Sequence, residues 1–245
     1  MQAVIDTRFR SALRRMIDAG RVRQCMREAD PYLEIASMMK KGDADKAMLF
    51  PKVHGFETPV LGNFLASKDN CEAAFGVEFR SIRDFVDRAI GNPLKPVEAK
   101  SAPVQDVVLK DFDLAKLFPA LFHAPTDCGR YITAGIVIVK DPDTGTYNAS
   151  YHRLQLQSRD TFGIKLDLGR HLRLAYERAA ARGQDLPITV VLGSDLALHF
   201  TAATMGSQMP EHADEIAVAG GLKGEALPVV KAITQDLLIP AECEF

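Results

Sequence analysis

The 245-residue chain has little of what marks several large protein classes. It has no long hydrophobic run. Apolar stretches such as "YITAGIVIVK" fall far short of the ~20 residues a membrane-crossing helix needs. Neither sign of charge dominates: 30 Lys and Arg stand against 32 Asp and Glu. No basic block exceeds short pairs, which argues against a nucleic-acid or anionic-membrane partner. Cysteine is scarce and scattered, at Cys25, Cys71, Cys128 and Cys243, without a CxxC spacing. That pattern reads as reduced thiols in a cytoplasmic protein rather than a disulfide framework. No G-x-G-x-x-G follows a strand and no G-x-x-x-x-G-K-[ST] occurs, so a phosphate-bearing ligand has to be held another way. No G-x-S-x-G surrounds any serine, which leaves a serine hydrolase without its elbow. The opening "MQAVIDTRFRSALRRM" lacks the charged-then-apolar layout of a signal peptide.

What is present is a mixed pattern. Phe9, Leu13, Met16 and Ile17 recur at helical spacing and Gly20 follows as a stop. "VRQCM" reads as a short strand. "DPYLEIASMMKKG" predicts a helix capped by Asp30 with Pro31 at its first position. "AMLFPKV" and "PVLGNFL" predict strands around the turn "HGFE". "CEAAFGV" and "SIRDFVDRAIG" predict helices, the second capped by Ser81. The Pro-bearing passage "GNPLKPVEAKSAP" is the best linker in the chain. After it, residues 131–140 and 146–157 form a hairpin around "DPDTGTY". "FGIKLDLGRHLRLAYERAAARGQ" gives a short strand and a helix with Leu172, Ala175, Tyr176 and Ala179 on one face, ended by Gly183. "PITVVLG" reads as a buried strand, "ADEIAVAGGLKGE" as a short helix running into a glycine turn, and "LPVVKAITQDLLIP" as two more strands. This order fits an α+β class better than a doubly wound parallel sheet.

The second hairpin strand, "NASYHRLQLQ", is unusually rich in hydrogen-bonding heads. Asn148, His171 and Glu215 offer an amide oxygen, an imidazole and a carboxylate. That set suits Mg²⁺ or Mn²⁺ when phosphate and water fill the remaining positions. Equally, His171 sits where helices carry capping or surface groups, and Glu215 where a carboxylate favours the helix dipole. Arg153 lies in a strand expected to be half buried. It then needs a carboxylate, phosphate or carbonyl partner, or it forms an ion pair on a solvated face. Ser150 and His152, two apart, point the same way. Asn148 and Arg153, five apart, face opposite sides unless a bulge intervenes. Asp195 and His199 lie at helical spacing without a nucleophile beside them, and a catalytic Cys128 near Asp127 and His123 has no further support.

These residues carry a resemblance. "LFPALFHAPTDCGRYITAGIVIVKDPDTGTYNASYHRLQLQ" is similar to the core segment of the UbiD-type, prenylated-flavin-dependent decarboxylases. Its matching positions are Asp127, Gly129, Tyr131, Ile132, Thr133, Pro142, Gly145, Asn148 and Arg153. "GRHLR", "DLPITVVLGSDLA" and "ADEIAVAGGLKGEALPVVKAITQDLLIPAECEF" match further, as does the N-terminal "LRRMIDAGRV…EADPYLEIA…FPKVHGFETPVLGN". The resemblance implies an N-terminal α/β domain over residues 1–105 and a flavin-binding split β-barrel domain over 106–245, the latter cut short at its C-terminal end. It implies prenylated FMN (prFMN) as cofactor, a divalent cation on Asn148, His171 and Glu215 that clamps the cofactor phosphate, and a K⁺ nearby. It implies cofactor contacts from Ser150, Tyr151, Arg153, Arg170 and the segment around Ala202–Met205. Arg153 corresponds to the arginine of the family's Glu-Arg-Glu catalytic network.

The network's two glutamates follow the region that this sequence covers, as do a cofactor-contacting lysine and a C-terminal oligomerisation domain. The expectation is a fragment or split subunit of a reversible decarboxylase of aromatic, heteroaromatic or α,β-unsaturated carboxylic acids. A flavin prenyltransferase would supply the cofactor, and a partner chain or further domain the acids; a homo-oligomer is compatible. Two other readings stand beside it: a non-catalytic flavin-binding or assembly subunit, and a flavin-reductase-like protein.

Overall fold

In the computed structural model, residues 4–204, 209–210 and 212–245 are described. The chain is α+β. Its first part runs α1 (Phe9–Asp18), β1 (Val22–Gln24), α2 (Glu34–Lys41), β2 (Ala47–Phe50), β3 (Val60–Gly62), α3 (Lys68–Phe75) and α4 (Phe79–Gly91). A short β4 (Val97–Glu98) and helix α5 (Leu114–Leu117) lead to the hairpin β5 (Tyr131–Lys140) and β6 (Tyr147–Leu156). Then come β7 (Phe162–Ile164), α6 (His171–Ala181), β8 (Ile188–Val191), α7 (Leu196–Ala203), α8 (Glu215–Lys223), β9 (Pro228–Lys231) and β10 (Leu238–Pro240). The strands form three small sheets in the orders β1-β2-β3, β10-β9-β4 and β7-β6-β5-β8. Among the described residues no sheet closes on itself, and no helix is long and apolar enough to cross a membrane. The four cysteines are free thiols.

Two predicted helix starts move. Helix α2 begins at Glu34, not at Pro31, because residues 31–33 bond elsewhere: Phe122 N–H donates to the Pro31 carbonyl and Leu33 N–H to the Phe122 carbonyl, both at 3.2 Å. Asp30 instead accepts from Tyr32 N–H at 2.7 Å, while Glu34 accepts from Asp30 N–H at 2.7 Å. Helix α4 begins at Phe79 rather than behind a Ser81 cap, since the Glu72 carboxylate of the preceding helix takes the Phe79 N–H at 2.9 Å. On α6, Leu172, Ala175 and Ala179 are buried as expected, but Tyr176 is exposed.

The Pro-bearing passage is not a loose tether. Leu94 N–H donates to the Ala217 carbonyl of α8, Val97 N–H to Leu227, and Ala99 N–H to Val229, at 2.8–3.1 Å. The close approach depends on two glycines of α8. A Cβ on Gly221 would stand 2.5 Å from the Asn92 carbonyl oxygen, and one on Gly220 would stand 2.8 Å from that of Leu94. One apolar cluster joins Ala12, Met16, Phe75 and Ile82 of the first part to Ile136, Ile138, Leu198, Ile216 and Val229 of the second. At the far end of α8, Lys223 is buried against Asp195, Nζ to Oδ2 3.3 Å. Burial works against its charge, but Asp195 and Glu225 outweigh that and raise its pKa. Helix α8 is therefore fixed at both ends and along one side.

Gly221→Ala tests this. Alanine is the better helix former by about 1 kcal/mol, but a backbone oxygen at 2.5 Å cannot move aside cheaply. The clash costs about 1–3 kcal/mol or more, so urea unfolding should show a net loss of stability. Gly91→Ala, whose Cβ meets nothing within 4 Å, should be neutral or stabilising.

Candidate functional site

Strand β6 has two chemically different sides. Asn148, Ser150 and His152 pair with Val139, Val137 and Gly135 of β5. They lie on the side that packs toward α6, in the cluster of Val137, Val139, Leu154, Leu172 and Ala175. Tyr147, Ala149 and Tyr151 alternate with them and face the main core. This follows from the period-two alternation of a strand.

Glu215 anchors the polar side. It opens α8, whose N-cap Asp214 accepts from Ile216 and Ala217 N–H at 2.9 and 3.0 Å. The Glu215 residue is 3% exposed. Its carboxylate accepts from Asn148 Nδ2 at 2.9 Å and from Ala149 N–H at 3.3 Å, and His171 Nδ1 stands 3.6 Å away. Burial raises the Glu215 pKa, and His171 and the backbone N–H groups of Glu215 and Ala149 pull it partly back. Among the described residues no Lys or Arg is seen to reach this carboxylate; the basic side chain beside it is His171. His171 is the first residue of α6, so the three candidate ligands come from the first residues of two helices and one strand between them.

The same side continues outward. Ser150 Oγ lies 3.3 Å from Asn148 Oδ1 and 3.0 Å from His152 Nε2. The structure thus joins Asn148, Ser150, His171 and Glu215, and adds His152. Strand alternation already placed His152 beside Ser150; what it could not supply was the direction of the imidazole across the strand.

Other candidates lie elsewhere. Tyr151 is on the core side, its hydroxyl bonded to His199 Nδ1 of α7. Burial pushes the Tyr151 phenol up to about 12 and the His199 imidazole down to about 4. Arg153 is exposed, not half buried. Among the described residues no hydrogen-bond or ion-pair partner approaches its guanidinium. The bulge in this hairpin falls on β5, between Ile132 and Gly135. Strand β6 keeps its alternation, so Arg153 and Asn148 face opposite sides. Arg170 is exposed at the N-cap of α6. Ala202 is buried in α7, while Met205 lies outside the described residues.

The donor set fits a hard divalent cation. A carboxylate buried without a fixed basic partner is costly, and an amide, an imidazole and a carboxylate converging on one point can share such an ion with phosphate oxygens and water. Three His, Cys, Asp or Glu side chains do not gather anywhere among the described residues; this trio draws its third donor from an amide.

Residues 95–245 match the domain described as UbiD, 3-octaprenyl-4-hydroxybenzoate carboxy-lyase Rift-related domain, and residues 13–89 match the N-terminal domain of the same carboxy-lyase. Gallate decarboxylase of Lactiplantibacillus plantarum is 31% identical over 236 residues, 89% of this chain and 48% of that protein. Anhydromevalonate phosphate decarboxylase of Methanosarcina mazei is 31% identical over 197 residues, 80% of this chain and 44% of that protein. The structure of an evolved dimeric form of the UbiD-class enzyme HmfF from Pelotomaculum thermopropionicum, in complex with prFMN, superposes with a TM-score of 0.89. Its identity is 32%, over 97% of this chain and 56% of that one. The chain spans about half the length of these relatives. With both domains matched in order along one polypeptide, the chain belongs to the UbiD family of carboxy-lyases, of which it covers the N-terminal portion.

Proposed function

We propose that this chain forms the cofactor cradle of a reversible decarboxylase that uses prFMN on aromatic, heteroaromatic or α,β-unsaturated carboxylic acids. The observation that carries the reading is the buried Glu215 carboxylate, met by Asn148 and His171 and by no fixed Lys or Arg among the described residues. Asn148, His171 and Glu215 would hold Mn²⁺ or Mg²⁺, and the cation would tie down the flavin phosphate, with K⁺ close by. When bound, the prenylated flavin supplies the electron sink for breaking the carbon–carbon bond. Ser150 sits beside the cation ligands and would orient the cofactor. Tyr151 and Arg170, on other faces, would reach it only at its edges. Arg153, exposed and unpartnered among the described residues, is free to hold a substrate carboxylate through a bidentate pair.

On the family resemblance, the proton that replaces CO₂ would come from an acid paired with Arg153. No described carboxylate approaches it, so that acid would come from a further segment or a partner chain. The same observation favours a second reading, a flavin-binding subunit that is silent until a partner supplies the acid. The sheets β7-β6-β5-β8 and β10-β9-β4 would contribute to the split barrel that the resemblance implies. A flavin prenyltransferase would supply the cofactor, in a reducing, cytoplasmic setting that suits four free thiols.

Two experiments check this. Mn²⁺ with FMN should raise the thermal midpoint of the chain, a ligand at a hundred times its Kd contributing about 2.7 kcal/mol. Asn148→Ala, His171→Ala and Glu215→Gln should each abolish that shift; an undiminished shift in all three removes the cation clamp. Second, the chain reconstituted with prFMN should neither decarboxylate acids nor exchange the α-carbon proton with D₂O unless a polypeptide carrying the missing acids is added. Turnover by the chain alone would show that it holds its own proton donor.

A further inference from the structure

The row Asn148–Ser150–His152 has more polar contact than a cation clamp requires. The Glu215 carboxylate can only accept, so it faces the Asn148 amide nitrogen, at 2.9 Å. That leaves the Asn148 amide oxygen turned toward Ser150, 3.3 Å from its hydroxyl. In this arrangement the amide presents the wrong atom to a cation beside Glu215, because a metal takes an amide through oxygen. Rotating the carboxamide by half a turn exchanges the two atoms. Oxygen then stands with the carboxylate, and the amide nitrogen needs an acceptor on its other side. Ser150 Oγ is the atom in place.

Which arrangement wins depends on the single Ser150 proton. If the hydroxyl donates to the Asn148 oxygen, it holds the amide in the cation-free arrangement. If it donates elsewhere, its lone pairs face Asn148 and favour the rotated amide. The alternative acceptor is His152 Nε2 at 3.0 Å. His152 is half-buried, and burial lowers its pKa, which favours the neutral ring. The Lys165 backbone acts in the opposite sense to burial and favours a ring N–H on the side that faces it. A neutral imidazole has one N–H; with that proton on Nδ1, Nε2 can only accept. Lys165 opens the loop 165–170 that runs from β7 to His171. His152 therefore reaches one cation ligand at one remove, Asn148 through Ser150, and lies beside the loop that leads to His171.

We infer that His152 is a positioning residue for the cation site: by accepting the Ser150 proton it turns the Asn148 carboxamide so that its oxygen, not its nitrogen, faces the ion. This rests on the cation reading above. The relay runs Asn148 Nδ2–H to Ser150 Oγ, and Ser150 O–H to His152 Nε2, with the ring proton on Nδ1.

The test uses the whole chain with Mn²⁺ alone, free Mn²⁺ being followed by electron paramagnetic resonance. His152→Leu should weaken Mn²⁺ about tenfold, as loss of an outer partner of a metal ligand does. His152→Gln, which can offer an amide oxygen near the same place, should restore most of that affinity. In a Ser150→Ala background His152→Leu should add nothing, since the relay is already cut. Independently, ¹⁵N shifts of the unaltered protein, assigned through His152→Gln, should show His152 protonated at Nδ1 and bare at Nε2. An Nε2–H tautomer, an unchanged Mn²⁺ affinity in His152→Leu, or full additivity with Ser150→Ala would each overturn the role of His152 and leave the cation site standing. If the unaltered chain binds no Mn²⁺, the cation reading itself falls, and this inference with it.

Discussion

The site is organised around a carboxylate that is out of water and, among the described residues, is answered by no Lys or Arg. Ionised, Glu215 needs donors and a compensating charge. The fold supplies the donors from an adjacent strand, through Asn148 Nδ2 and Ala149 N–H, and sets the His171 imidazole 3.6 Å away. Much of the surrounding architecture makes that position unavoidable. Asp214 caps α8 so that it starts at Glu215. Gly220 and Gly221 let the passage at Asn92–Leu94 lie on the helix. Lys223 pins its last turn to Asp195. A carboxylate on a freely sliding helix would find water; this one cannot.

That view explains why the passage after α4 matters. Its prolines and polar residues suggest a spacer, yet its backbone is bonded to α8 and β9. The main apolar cluster likewise runs through both parts of the chain. The first hundred residues are thus a buttress for the polar site as well as a separate run of elements.

Much of this was legible from residue order. Period-two alternation found the hairpin and put Ser150 with His152, and helical spacing with terminal glycines placed α1, α6 and α8. Residue chemistry marked Asn148, His171 and Glu215 as candidate cation ligands, which the fold brings together, and the family showed in ordered motif blocks. What was not legible was long-range competition for backbone groups. Asp30–Pro31 is a good helix start in isolation, but Phe122, some ninety positions away, takes the bonds that a first turn would need. Ser81 is a good cap, but Glu72 reaches Phe79 first. Arg153 was expected half buried, because a strand pattern does not reveal where its sheet ends and solvent begins.

Strand β6 has a consequence for how such a chain can change over time. Its two sides do different work, one polar and ordered by Asn148, Ser150 and His152, the other apolar and tied to the core through Ala149 and Tyr151. Single replacements alter one side and spare the other. A one-residue insertion or deletion between Asn148 and Arg153 would exchange the sides wholesale, carrying a serine and an imidazole into the core and a tyrosine into the polar row. The spacing within this strand should therefore resist length change more strongly than the letters that fill it, and drift in this region should proceed by substitution.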